Sequence, residues 1–296
     1  MMGESENREE SCKLSSPAAT LDFDELVRRI GDAILQRLGH APADAANGAC
    51  GCQIKEPRAV VAPTPDVRGW IAPEGGLAAI IDHTLLRPDA TKAEITKLCA
   101  EARQHGFGAV CVQPSWVAHA ARELAGSAVR TVSVVGFPHG ATVTPVKREE
   151  TEQLIRLGAH EVDMVAHIGA LRAGDLDHVH TDIAAVVAIA RRARAAVKVI
   201  LEMGLLNEEQ KINGCVVAML AGAGFVKTST GFGPSGADAN DVALMHRIVG
   251  GRMGIKAAGG IRSFAHLREM MAAGATRIGT SSGITILAES GASAGL

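Results

Sequence analysis

The chain has 296 residues, enough for one large domain or two ordinary ones at roughly 100–200 residues each. Hydrophobic residues make up 47% and charged residues 21%, which excludes wholesale disorder. A net charge of −2, aromatics at 3% and no tyrosine exclude a basic nucleic-acid surface, a stacking platform for single strands and a tyrosine acid or base.

No apolar run approaches the ~18 residues that cross a bilayer. The opening residues, MMGESENREESCK, are polar and acidic, unlike a secretory signal. The expectation is a cytoplasmic protein with neither membrane nor nucleic acid as a partner. Within the first 39 residues one amphipathic helix is predicted, over about 22–38. Phe23, Leu26, Val27, Ile30, Ile34 and Leu38 recur at three- and four-residue steps. Asp22 with Glu25 resembles a capping box, and Gly39 suits the stop. Such a helix needs a partner for its apolar face. Packing on its own chain and docking on another protein are both open, and docking is the expectation carried forward. Residues 40–75 are rich in Pro, Ala and Gly and read as a tether. Cys50 and Cys52 fall there as a lone CxC without further zinc ligands, and Cys99, Cys111 and Cys215 read as buried, reduced core thiols.

From Gly76 to Leu296 short apolar runs alternate with helical periods. Strands are predicted at 78–82, 109–113, 131–136, 161–165, 197–203, 224–228, 254–257 and 277–279. Helices are predicted at 92–105, 146–157, 175–195, 208–221 and 241–248, with another from about Ser282. Eight β-then-α units predict an α/β fold, a (β/α)8 barrel of the TIM type, preceded by the tethered helix. A doubly wound open sheet is the alternative, but no GxGxxG opens a helix after the first strand.

In such a barrel the chemistry gathers at the C-terminal strand ends. Asp163, Lys227 and Lys256 each interrupt an apolar strand there, and Lys198 and Glu202 mark the two ends of another. Lysine is rarely buried without a partner or a role. Burial and a neighbouring ammonium both lower its pKa, which is how a nucleophilic amine arises near neutral pH. Lys227 and Lys256 fall on successive strands, with Asp163 placed to hold the second lysine and pass protons. A purely structural ion pair is the alternative. Gly259–Gly260 and Gly279–Thr280–Ser281–Ser282–Gly283 form donor-rich turns suited to a phosphate, unless they are ordinary tight turns. Asp82 and Thr84 are expected at the mouth, and Thr228 beside Lys227 is assigned to the substrate pocket. His83 and His139 are candidates for a catalytic role, with ordinary mouth or surface residues as the alternative that eleven scattered histidines favour, and no HExxH or carboxylate cluster suggests a metal.

The segments IDHTLLRPDAT, VVGFPHG, EVDMVAHIGAL, VKVILEMGLL, FVKTSTGFGP, GIKAAGGIRS and RIGTSSG closely resemble the deoxyribose-phosphate aldolase family, in the right order over about Gly76 to Ala288. The resemblance implies a class I aldolase without metal or cofactor, commonly a homodimer. It cleaves 2-deoxy-D-ribose 5-phosphate reversibly to glyceraldehyde 3-phosphate and acetaldehyde. It implies Lys227 as the Schiff-base lysine, Lys256 as the lysine that depresses its pKa, and Asp163 as the proton-relay acid. Gly259, Gly260, Ser281 and Ser282 match the phosphate pocket. The chain departs in lacking the C-terminal tyrosine of some members, in Phe232 where some carry lysine, and in Gln113 where many have Asn or Ala. Another phosphosugar lyase or isomerase, or a silent scaffold, is the alternative. The extension is similar in physical type to the encapsulation peptides of bacterial microcompartment cargo, which implies a shell protein as partner for residues 22–38.

Overall fold

The computed structural model describes residues 23–37, 39 and 76–293. Asp22, Leu38 and the tether with Cys50 and Cys52 lie outside them. Helix α1 spans Phe23–Arg37. A short α2 (Gly76–Ala79) leads into β1 (Ile81–Leu85), and α3 (Lys92–His105) follows. Next come β2 (Ala109–Val112), α4 (Val117–Glu123), β3 (Arg130–Val135) and α5 (Thr144–Arg156). Then β4 (Glu161–Val165) precedes two helices, α6 (Ile168–Ala173) and α7 (Leu176–Arg192). The rest is β5 (Ala196–Ile200), α8 (Glu208–Leu220), β6 (Phe225–Lys227), α9 (Ala239–Val249), β7 (Gly254–Ala258), α10 (Phe264–Ala272), β8 (Arg277–Thr280) and α11 (Gly283–Ser293). Reciprocal caps start α3 (Thr91 with Glu94) and α8 (Asn207 with Gln210), each satisfying two backbone N–H groups.

The eight strands close into one parallel barrel in sequence order, with β1 against β8. This is the predicted (β/α)8 architecture. The first strand is the main correction. Ala78 and Ala79 belong to the short helix α2, and the strand begins at Ile81, where it pairs with Ile278. Asp82 therefore lies near the start of the strand, inside the barrel, rather than closing it at the mouth.

The registers stack the inward residues in three layers. Asp82 pairs with Ala109 and Gly279, and Val132 with Cys111 and Glu161. Lys198 pairs with Asp163 and Phe225, and Lys256 with Lys227 and Arg277. So Asp82, Val132, Lys198 and Lys256, from odd strands, form the middle layer. Ala109, Glu161, Phe225 and Arg277 lie below it, and Cys111, Asp163, Lys227 and Gly279 above, as alternation around a tilted barrel requires. Apolar side chains such as Val110, Val162, Val199, Val226, Ile255 and Ile278 face outward into the main core. A smaller cluster of Leu86, Ala109, Cys111, Val132 and Val134 fills one side of the interior, with Phe137 over it. One half of the barrel interior is thus apolar and the other ionic.

Helix α1 lies against α7 and α8. Val27 and Ile34, 5% and 2% exposed, join the main core, with Ile30 packed against it. Arg28 on the outer side pairs with Glu25 and Asp32, both at 2.7 Å. Three residues of the stripe expected to dock on another protein, Val27, Ile30 and Ile34, are here packed on the chain's own barrel. Ile34→Ala should then cost about 2–4 kcal/mol through the cavity it leaves. Thermal unfolding should show Tm lower by about 5 °C or more; an unchanged Tm would mean that α1 does not hold this position.

Candidate active site

Seven ionisable side chains meet on the ionic half of the interior. Asp163 Oδ2 accepts hydrogen bonds from Lys227 Nζ at 2.8 Å and Lys256 Nζ at 2.7 Å. Its other oxygen, Oδ1, accepts from Lys198 Nζ at 2.8 Å. Lys256 Nζ also donates to Asp82 Oδ2 at 2.5 Å, and Lys198 Nζ lies 2.5 Å from Glu161 Oε2. Arg277 Nη1 joins Asp82 Oδ1 at 2.9 Å to Glu161 Oε2 at 3.3 Å. All seven are buried.

These contacts separate the two lysines of the expected pair. Burial pushes the Lys227 amine down; Asp163 opposes this and the Lys256 ammonium adds to it, and the net direction is downward. Lys256 is buried as well, but Asp163 and Asp82 together hold its proton and drive it upward. Burial alone would raise Asp163, yet Lys198, Lys227 and Lys256 hold its carboxyl well below the usual range. The arrangement therefore biases Asp163 toward its carboxylate, Lys256 toward its ammonium and Lys227 toward its neutral amine. That amine is also the one with access: Lys227 lines the mouth cavity, and Lys198, Lys256 and Asp163 do not.

The cavity encloses about 450 Å³. Among the expected pocket residues, Thr84, Gly259, Gly260 and Ser281 line it. Gly259 is held at φ 94°, and a Cβ on the facing Gly236 would sit 2.2 Å from Gly259 O, so only glycines allow this approach. Two expected residues lie elsewhere. The Thr228 hydroxyl donates to Ala258 O and accepts from Ala258 N, both at 3.1 Å, clasping β6 to β7. Ser282 directs its N–H to Thr280 Oγ1 at 2.9 Å, just before α11. Arg87 and Arg262 line the cavity without having been expected, because a single arginine after a strand carries no periodic signal.

Glu202, past the end of β5, has φ 55°, a left-handed conformation uncommon outside glycine. Its buried carboxylate accepts from the Thr230 N–H and hydroxyl, fixing the loop that follows Lys227. His83 is not at the mouth: it is buried outside the barrel, bonded to Glu101 at 2.9 Å with its ring against Phe107. His139 lines a smaller neighbouring cavity with Glu202 and Phe232. Cys111, expected in the core, is buried in the layer of Asp163 and Lys227; burial pushes its thiol up to about 11. Among the described residues no group of three His, Cys, Asp or Glu has the spacing of a metal site. None of their helices is long and apolar enough to cross a membrane.

Gly279 packs against the second lysine. A Cβ there would lie 2.9 Å from Lys256 Cε and 3.0 Å from Ala258 Cβ. Lys256 is pinned at its far end by two carboxylates, so it cannot swing away without losing one. Gly279→Ala should lower kcat roughly ten- to hundredfold, the scale of a small misplacement of a catalytic group. KM should change little, which steady-state kinetics would check.

Residues 77–296 match the model of the family described as DeoC/LacD family aldolase. A deoxyribose-phosphate aldolase from Geobacillus sp. is 53% identical over 214 residues, covering 72% of this chain and 96% of that protein. Among solved structures, a Coccidioides immitis protein provisionally assigned as a deoxyribose-phosphate aldolase superposes with a TM-score of 0.71 at 34% identity. It covers 92% of this chain and 98% of its own, a larger share of this chain than residues 76–296 make up. The tetrameric deoxyribose phosphate aldolase of Aeropyrum pernix gives 0.68 at 34% identity, over 71% and 89% of the two chains. The chain belongs to the DeoC/LacD family of aldolases.

Proposed function

We propose that this chain is a class I aldolase acting on 2-deoxy-D-ribose 5-phosphate, with Lys227 as the Schiff-base lysine and no cofactor beyond that lysine. The observation that carries the reading is the contrast between the two strand-end lysines. One is clamped between two carboxylates, and the other is pushed toward neutrality and opens into the cavity. In the synthetic direction the neutral amine attacks the acetaldehyde carbonyl, and loss of water from the carbinolamine leaves an iminium. Asp163 and Lys256, with water, move a methyl proton from the iminium to give the enamine. The enamine carbon then attacks the aldehyde carbon of glyceraldehyde 3-phosphate, the aldehyde oxygen takes back the proton removed in forming the enamine, and hydrolysis of the new iminium frees the sugar and Lys227. Gly259, Gly260 and Ser281 offer backbone and hydroxyl donors for the phosphate, with Thr84 facing them and Arg262 adding positive charge.

The test is a retro-aldol assay that measures acetaldehyde release from 2-deoxyribose 5-phosphate and from 2-deoxyribose. Cleavage of both, with the phosphate ester strongly preferred through a lower KM, is the expected result. No release from either sugar would overturn the reading.

We further propose that residues 76–296 form the catalytic unit and residues 40–75 a tether. The enzyme is proposed to act in the cytoplasm as a homodimer. Buried thiols at Cys99, Cys111 and Cys215 fit a reducing compartment. Delivery to a microcompartment shell through residues 22–38 would require α1 to leave α7 and α8. A reporter fused to residues 1–45 tests it: co-purification with a shell protein would support delivery, and a diffuse reporter would leave α1 with the barrel.

A further inference from the structure

The ionic half of the barrel contains three carboxylates, Asp82, Glu161 and Asp163, and four bases, Lys198, Lys227, Lys256 and Arg277. Net charge is strongly disfavoured where water is excluded. The interior is neutral only when one of the four bases lacks a proton. Arg277 cannot supply that neutral group, because a guanidinium keeps its charge in proteins. Lys198 lies between Asp163 and Glu161, and Lys256 between Asp163 and Asp82. Lys227 contacts a single carboxylate oxygen, which it shares with Lys256.

The lower layer takes part in this balance without reaching the cavity. Glu161 lies two residues before Asp163 on β4, and Arg277 is the register partner of Lys256 on β8. Neither lines the mouth cavity. The groups facing the interior from every strand are Asp82 on β1, Cys111 on β2, Glu161 and Asp163 on β4, Lys198 on β5, Lys227 on β6, Lys256 on β7 and Arg277 on β8. From β3 comes Arg130, 3.1 Å from Glu161 at the lower rim with a quarter of its side chain exposed, so water shares its charge.

We propose that Glu161 and Arg277 are positioning residues that act from the bottom of the barrel, through Lys198 and Asp82, to set the charge balance that leaves Lys227 unprotonated and ready to attack. This rests on Lys227 being the Schiff-base lysine. It makes predictions of opposite sign for two residues that never touch substrate. Glu161→Gln removes a negative charge, so a proton on Lys227 becomes harder to hold. Arg277→Gln leaves three carboxylates facing three lysines, so Lys227 holds its proton more tightly. The acid-side limb of kcat/KM, which reports the free enzyme's nucleophile, should move down by about one pH unit in the first variant and up by about one in the second. The double variant restores one base in excess and should return the limb to near its wild-type position.

The experiment measures kcat/KM for 2-deoxyribose 5-phosphate against pH in the wild type and the three variants. In parallel the wild type is reduced with borohydride in the presence of acetaldehyde and the modified lysine is located. Trapping at Lys227 with opposite shifts in the single variants and a return in the double supports the proposal. If Arg277→Gln does not fold, the fall in Glu161→Gln and its reversal in the double variant decide the matter. Trapping at Lys227 with limbs that stay in place, or move in the same direction, would overturn this inference alone. Trapping at another lysine would overturn it together with the assignment of the nucleophile.

Discussion

Replacing Lys227 with Leu should abolish covalent trapping of acetaldehyde and lower turnover by on the order of 10³-fold or more, because no other group among those described can take its place. Lys198 and Lys256 are amines in the same network, but each lies between two carboxylates and neither opens to the cavity. The fold should survive. The substitution removes one buried base from an interior where bases exceed carboxylates, and the aliphatic side chain of leucine suits a largely buried position. Circular dichroism and thermal unfolding should therefore resemble the wild type while the reduced adduct disappears. Turnover at the wild-type rate would exclude Lys227 as the nucleophile.

The Lys256→Leu variant should change the pH profile as well as the rate. With the Lys256 ammonium gone, Asp163 Oδ2 accepts from Lys227 alone, and the repulsion between the two ammonium groups is lost. Both changes favour the protonated form of Lys227. Its pKa rises, and the acid-side limb of kcat/KM moves to higher pH, each unit corresponding to about 1.4 kcal/mol. The rate at the new optimum should also fall, since Lys256 belongs to the proton path between Asp163 and the bound substrate. Stability should drop by about 3–5 kcal/mol, because Asp82 and Asp163 each lose a buried partner. A lower rate with an unmoved limb would assign Lys256 to proton transfer only.

What could be read in the chain was whatever violates the ordinary rules of a core. Lysine within FVKTS and GIKAA, and aspartate within EVDMV, stand out because burying a charge is costly. The structure brings these three residues to one carboxylate oxygen. The (β/α)8 order was legible for a similar reason, since parallel strands covered on both faces form unbroken apolar runs. Glu161 and Arg277 were hidden because they open their strands, where a charged residue looks like the end of a loop. The first strand was placed too early because Ala78, Ala79 and Ile80 form an apolar run whose length fits a strand or a helical turn equally well. Helices α4 and α10 follow from the β-then-α alternation, but VAHAARE and FAHLREMMA are short and mark their buried face only weakly, so the sequence does not delimit them. Thr228 sits beside Lys227 in the chain, yet alternation along the strand turns it toward Ala258 instead of the cavity.

The central claim is that one buried amine, made neutral by its surroundings, forms a covalent bond with the substrate. The most direct measurement is peptide mass spectrometry after borohydride reduction in the presence of acetaldehyde. The account predicts a single N-ethyl adduct on the peptide carrying Lys227, dependent on both acetaldehyde and reductant and absent in Lys227→Leu. An adduct on Lys198 or Lys256, or turnover with no adduct at all, would contradict it.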